Sequence, residues 1–161
     1  MQRRKPKMIG RAPAWILAGA LTCAIANAAT CTASASDAFG GYNPLAGAQA
    51  TTTGMIAVTC TGTLNEVVNV TITLSAGFGS YSNRTMLSGS TPMYYNLYRD
   101  AAYSQVWGDG VSGGTYSLSD TITLTSTSVT KCYTVYSRIA GNQKQLVAGT
   151  YADNVTVTVS Y

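Results

Sequence analysis

The stretch from Glu66 to Ser75 alternates strictly, with Val68, Val70, Ile72 and Leu74 on one side and Val67, Asn69, Thr71 and Thr73 on the other. A period of two belongs to a strand with one buried face. The pattern recurs along the chain, and no helix-period segment interrupts it. Met55 to Cys60 turns Ile56, Val58 and Cys60 one way, and Met93 to Tyr98 is a short aromatic strand. Leu118 to Thr125 carries Ile122 and Leu124 inward, and Lys131 to Ile139 carries Tyr133, Val135 and Ile139. A closing strand is expected from about Thr150 to Tyr161, in which Val155, Val157, Val159 and Tyr161 alternate with Asn154, Thr156, Thr158 and Ser160. Gly77 to Gly89 reads as a polar loop and Gly108 to Gly114 as a tight, glycine-rich turn. Short strands punctuated by turns specify an all-β sandwich or barrel, and no linker or repeat divides it. Chain ends are commonly loose, so the closing strand raises the question of what it pairs with.

The first 28 residues stand apart. Arg3, Arg4, Lys5, Lys7 and Arg11 form a basic start, Ala14 to Ile25 an apolar run, and Ala26-Asn27-Ala28 a small-x-small cleavage site. That is the layout of a secretory signal peptide. The run is shorter than the roughly 20 residues of a membrane span, so no stable span is expected after cleavage. Arg3-Arg4 lacks the rest of a twin-arginine signal, and Leu21-Thr22 is a poor approach to a lipoprotein cysteine at Cys23. Residues 1–28 are thus read as the signal, and residues 29–161 as one exported domain.

Removing the leader changes the electrostatics. Five of the ten lysines and arginines lie in it and none of the six acids does, so the formal +4 of the whole sequence becomes −1 for residues 29–161. No basic patch remains for nucleic acid or anionic lipid. The remaining composition, rich in Thr, Ser, Gly, Val and Tyr, is that of β-sheet.

Three cysteines remain, Cys31, Cys60 and Cys132. In an oxidising compartment two of them should pair. Cys60 lies on the apolar face of its strand, and a bond to Cys31 would tie the first strand to the second; the alternative is two free buried thiols. Closing that loop contributes roughly 3–4 kcal/mol in the chain-entropy model. Cys132 is either a half-buried thiol or an intermolecular disulfide site.

Catalytic chemistry finds little footing. The chain has no histidine, which removes Ser-His-Asp and Cys-His catalysis and histidine-based metal sites. Asp100 and Asp109 could be imagined as a glycosidase pair, but Asp109 before Gly110 suits a turn. The segment GDGVSGG has neither the lysine of a phosphate loop nor the spaced carboxylates of a calcium loop. No enzyme, catalytic residue, cofactor or metal is expected. Tyr94, Tyr95, Tyr98, Tyr103 and Trp107 make an aromatic run; exposed, Tyr94 and Trp107 are candidate glycan contacts, and buried, they are core.

Several segments together resemble one family. They are Phe39-Gly40-Gly41-Tyr42, Val58-Thr59-Cys60, Val70 through Gly77, Arg84-Thr85-Met86, Tyr95-Asn96-Leu97-Tyr98-Arg99-Asp100, Trp107-Gly108-Asp109-Gly110, Tyr136-Ser137-Arg138, and Ala148-Gly149-Thr150-Tyr151. In this order they resemble the spore coat protein U domain, a family that includes secreted pilins of the archaic chaperone–usher pathway. Ser137, where the family often has glycine, and the extra Cys132 depart from it. The resemblance implies an immunoglobulin-like β-sandwich lacking its seventh strand, with an open groove beside the C-terminal strand. It implies a structural subunit of a surface pilus or coat, with an adhesion or biofilm role. The implied partners are a periplasmic chaperone, an outer-membrane usher and other pilin subunits, the last joined by β-strand addition. The implied route is export, the periplasm in transit, and then the cell surface or secretion. Val155, Val157, Val159 and Tyr161 would line the groove. Only Ala29 and Thr30 precede Cys31 after the expected cleavage, so the chain is expected to accept a strand without donating one. The alternatives are a self-contained secreted coat or matrix protein and a glycan-binding adhesive module.

Overall fold

The computed structural model describes residues 28–161; the signal-peptide reading, apart from Ala28, lies outside the described residues. Eight strands form: β1 (Thr30–Ser36), β2 (Ala50–Thr61), β3 (Val67–Leu74), β4 (Arg84–Ser88), β5 (Thr91–Tyr98), β6 (Leu118–Thr123), β7 (Ser128–Ile139) and β8 (Val157–Ser160). Two single 3-10 turns, Pro44–Ala46 and Ser112–Gly114, are the helical content of the described residues. No helix among them is long and apolar enough to cross a membrane.

The strands make two antiparallel sheets, one of five in the order β1-β2-β7-β5-β4 and one of three in the order β6-β3-β8. Their apolar faces meet. The alternating set Val68, Val70, Ile72 and Leu74 of β3 is buried, as are Ile56, Val58 and Cys60 of β2 and Tyr133, Val135 and Ile139 of β7. Ile122 and Leu124 close the core from the β6 side, and Trp107 fills it from the loop after β5. This is the all-β sandwich that the period-two pattern requires.

Cys31 and Cys60 face each other across β1 and β2 and are joined by a disulfide. Cys132 is an exposed free thiol on the outer side of β7, not a half-buried one. Its cross-strand neighbour is Ala57, too short to cover it.

One strand escapes the pattern reading. The expected polar loop Gly77–Gly89 contains β4, whose buried positions Arg84 and Met86 face Tyr95 and Met93 of β5. A guanidinium at the first inward position conceals the alternation. Arg84 is fully buried and donates to the carbonyls of Ser75 (2.7 Å) and Trp107 (2.8 Å) and to Asn96 Oδ1 (2.8 Å). Burial lowers its pKa from the ordinary guanidinium value, opposed by Tyr95, Tyr81 and Asp153.

Candidate functional site

The two sheets are not closed on one side. β1 pairs only with β2 and β8 only with β3; the two edges come close to each other, but no ladder of hydrogen bonds joins them among the described residues. An unpaired edge is a row of N–H and C=O groups ready for another strand. Between the edges lies a cavity of about 280 Å³. Ala35, Ser36 and Asp37 border it on the β1 side, and Asp153, Asn154, Val155 and Val157 on the other. Ile56, Leu74, Leu97 and Val135 make its floor, all of them core residues. Past Asp37 and Asp153 it meets a larger recess of about 820 Å³, with Phe39, Tyr42 and Leu45 on one wall and Leu146 and Tyr151 on the other.

The closing strand is shorter than its alternation suggests. Only Val157–Ser160 pairs as a strand, Leu74 opposite Val157 and Ile72 opposite Val159. The residues before it change sheets. Ala152 exchanges both backbone bonds with Leu87 of β4 (2.8 and 3.0 Å), and Thr156 is tied to Ser75 just past the end of β3. A segment crossing between layers cannot hold one ladder, which is why the expected strand from Thr150 is cut short. Val155 and Val157 line this cavity, and Val159 is half-buried against the core. Tyr161 does not line it: it lies beyond the last paired residue with 58% of its surface exposed.

Two carboxylates, which pattern reading did not single out, stand in the groove. Asp37 sits at the sheet edge, but its carboxylate turns inward and accepts from the hydroxyl of buried Ser137. Gly54 makes this approach feasible, since a Cβ there would come within 2.6 Å of the Ser36 carbonyl oxygen and 2.7 Å of Asp37 Cβ. Burial raises the pKa of Asp37, against the hydrogen bonds from Ser137 and Ala38. Asp153 accepts from the Phe78 amide (2.9 Å) and the Tyr95 hydroxyl (2.6 Å). It rests on Gly77, whose φ of +68° and missing side chain both matter, because a Cβ would overlap the carboxylate. Tyr95 is pushed far above the ordinary phenol range, by burial first and then by its bond to Asp153. A glycine facing a distant aspartate carries no local pattern, so only the fold brings these pairs together.

The motif residues Tyr95, Asn96, Leu97, Tyr98, Asp100, Trp107, Gly108, Asp109, Gly110 and Arg138 mostly hold the fold. Asn96 accepts from Arg84 and donates to the Tyr81 carbonyl (2.7 Å). Arg138 donates to the Tyr98 hydroxyl (2.8 Å) and lies over the Tyr98 and Tyr103 rings. Asp100 accepts from the Ser104 and Gln105 amides, and Asp109 from those of Val111 and Ser112, so both order turns. Gly110, at φ +78°, provides the left-handed step after Asp109.

Trp107 cannot be a glycan contact. It is completely buried, its indole N–H donating to the Ile72 carbonyl at 3.1 Å, so neither ring face meets solvent. Tyr94 is half-buried, and its backbone is clamped by Gln143 (2.7 and 2.9 Å). The two do not form a sugar platform. Among the described residues no group of three or more Cys, Asp or Glu is placed to hold a metal ion.

Comparisons with known proteins agree with this architecture. The Spore Coat Protein U domain profile matches residues 17–158. No curated protein sequence gives a significant match. A similar solved structure is the CsuC–CsuE chaperone–tip adhesion subunit pre-assembly complex from archaic chaperone–usher Csu pili of Acinetobacter baumannii. The likeness has a TM-score of 0.55 at 20% identity, over 83% of this chain and 40% of that one. The chain thus spans well under half the length of that relative, and at this identity the likeness speaks for the fold. With the profile covering most of the sequence, the chain belongs to the Spore Coat Protein U domain family.

Proposed function

We propose that this chain is a structural subunit of a chaperone–usher-assembled surface pilus or coat, and that its groove receives a β-strand from another polypeptide. The observation that carries this reading is the pair of edges, β1 and β8, which approach each other without a ladder between them and open beside residues 35–37 and 153–157 into a cavity floored by core residues. A strand received there parts the two edges, bonding to β8 on one side and β1 on the other while its alternate side chains enter the floor. Each large aliphatic side chain so buried contributes roughly 1.5–3 kcal/mol. In transit the strand comes from a periplasmic chaperone, and at the outer-membrane usher it is replaced by that of another subunit. The function is binding and assembly, and no reaction is assigned. The solved relative, a complex of a chaperone with a tip adhesion subunit, supports a periplasmic chaperone as partner and leaves adhesion and biofilm roles as part of the proposal.

The test is purification of residues 29–161 with and without co-expression of a periplasmic chaperone from the same pathway. Soluble yield should rise sharply with the chaperone, and the two should elute as one complex. Equal yield, with a monomer that unfolds cooperatively and binds no strand, would instead establish the self-contained coat protein.

A further inference from the structure

The groove floor is apolar, yet two carboxylates stand where the groove opens into the larger recess, and Asp37 and Asp153 border both cavities. Each is seated against a glycine and held by hydroxyl or amide donors. Those donors orient the carboxylates without neutralising them. Among the described residues, no lysine or arginine borders either cavity. Arg84 is near enough to Asp153 to interact with it, but its donors are committed to Ser75, Asn96 and Trp107. The single salt bridge among the described residues, Lys131 with Asp120, involves neither groove carboxylate.

An all-apolar strand laid over this point would strip water from two carboxylates and return nothing. A cationic side chain would supply the missing partner through charge-assisted hydrogen bonds. We propose that the strand received by this groove carries a lysine or arginine at the inward step that passes between Asp37 and Asp153, with apolar side chains at its other inward steps. The inference rests on the strand-accepting reading above and adds the chemistry of the occupant. It also supplies a register: a slip of one residue turns the cation to solvent and every apolar side chain with it.

The test uses synthetic peptides of alternating valine and threonine, identical except for lysine, glutamine or glutamate at one inward step. That step is moved along the peptide, and each peptide is titrated against the purified chain with the unfolding midpoint as readout. At one register the lysine peptide should bind roughly ten-fold more tightly than the glutamine peptide, the low end of coupling measured for close charge pairs. The glutamate peptide should bind more weakly than both, and added salt should shrink the lysine preference. The preference should be lost in Asp37→Asn, whose side chain can still accept from Ser137, with near-UV circular dichroism checking the fold. Asp153→Asn is the second variant, and a lysine preference retained in both overturns the assignment. Equal binding of all three peptides at every register also overturns it while leaving strand acceptance intact. If no peptide binds at all, strand acceptance fails and the assignment falls with it.

Discussion

Arg84 shows how one residue can anchor several motifs at once. Its guanidinium gathers the end of β3 at Ser75, the middle of β5 at Asn96, and the loop carrying Trp107. All three acceptors are neutral, so the side chain acts as a buried, branched hydrogen-bond donor. Lysine keeps the charge but cannot present a planar fork in three directions. Arg84→Lys should therefore lower the unfolding free energy by about 2–3 kcal/mol, since hydrogen bonds to charged groups are each worth roughly 1.5–3 kcal/mol and not all can be remade. Denaturant unfolding with the slope held constant checks this, and a change under about 0.5 kcal/mol, ordinary for a surface site, would show that the fork is dispensable.

Among the elements, β1 is an edge strand that pairs with β2 alone, and most of its residues are exposed. The Cys31–Cys60 bond pins its first turn of ladder. Replacing both cysteines by serine should cost roughly 3–4 kcal/mol in the chain-entropy account. Amide exchange should accelerate in Thr30–Ser36 before β3 or β7 is touched; uniform acceleration across the sandwich would mean that β1 does not fray on its own. The period-two alternation made β2, β3, β5, β6 and β7 legible in the sequence, because each turns a mainly apolar series to one face. β4 was not legible, since its inward series starts on an arginine whose burial depends on acceptors far along the chain. The groove was legible only as an expectation carried by family motifs. Its aspartates were invisible, since Asp37 meets Ser137 and Asp153 meets Gly77 through tertiary packing alone. Trp107 shows the converse: the residue type suits either a sugar platform or a core, and only its placement decides between them.

At the scale of the whole molecule, four aspartates, Asp37, Asp100, Asp109 and Asp120, act on stability in two opposite directions. Asp109 is held below the usual 3.8 by hydrogen bonds from Ser112 and Val111, and Asp120 by its bond to Lys131. Burial works against the same shift at Asp100, but bonds from Gln105 and Ser104 prevail. A lowered folded-state pKa gives stability that is present above 3.8 and is lost as pH falls through the folded value. Asp37 is the reverse: its pKa is raised, so its contribution is present below 3.8 and is lost as pH rises through the folded value. The unoccupied domain should thus be most stable in weakly acidic solution, with a declining limb toward neutrality. In Asp37→Asn that limb should flatten while the acid limb remains. Midpoints of denaturant unfolding across this range measure both limbs, and an unchanged neutral limb in the variant would assign the decline to some other group.

The crossing of residues 152–160 from beside β4 to beside β3 has a mechanical meaning. A strand lying along β8 and pulled lengthwise would load the ladder between β8 and β3 in shear, so that its bonds resist together instead of parting one by one. Four residue pairs carry that load to the three-stranded sheet, from Thr71 with Ser160 to Leu74 with Val157. The bridge between Leu87 and Ala152 moors the same segment to the five-stranded sheet. Tension applied at the groove would therefore divide between both layers, and the sandwich would act as a link rather than a hinge.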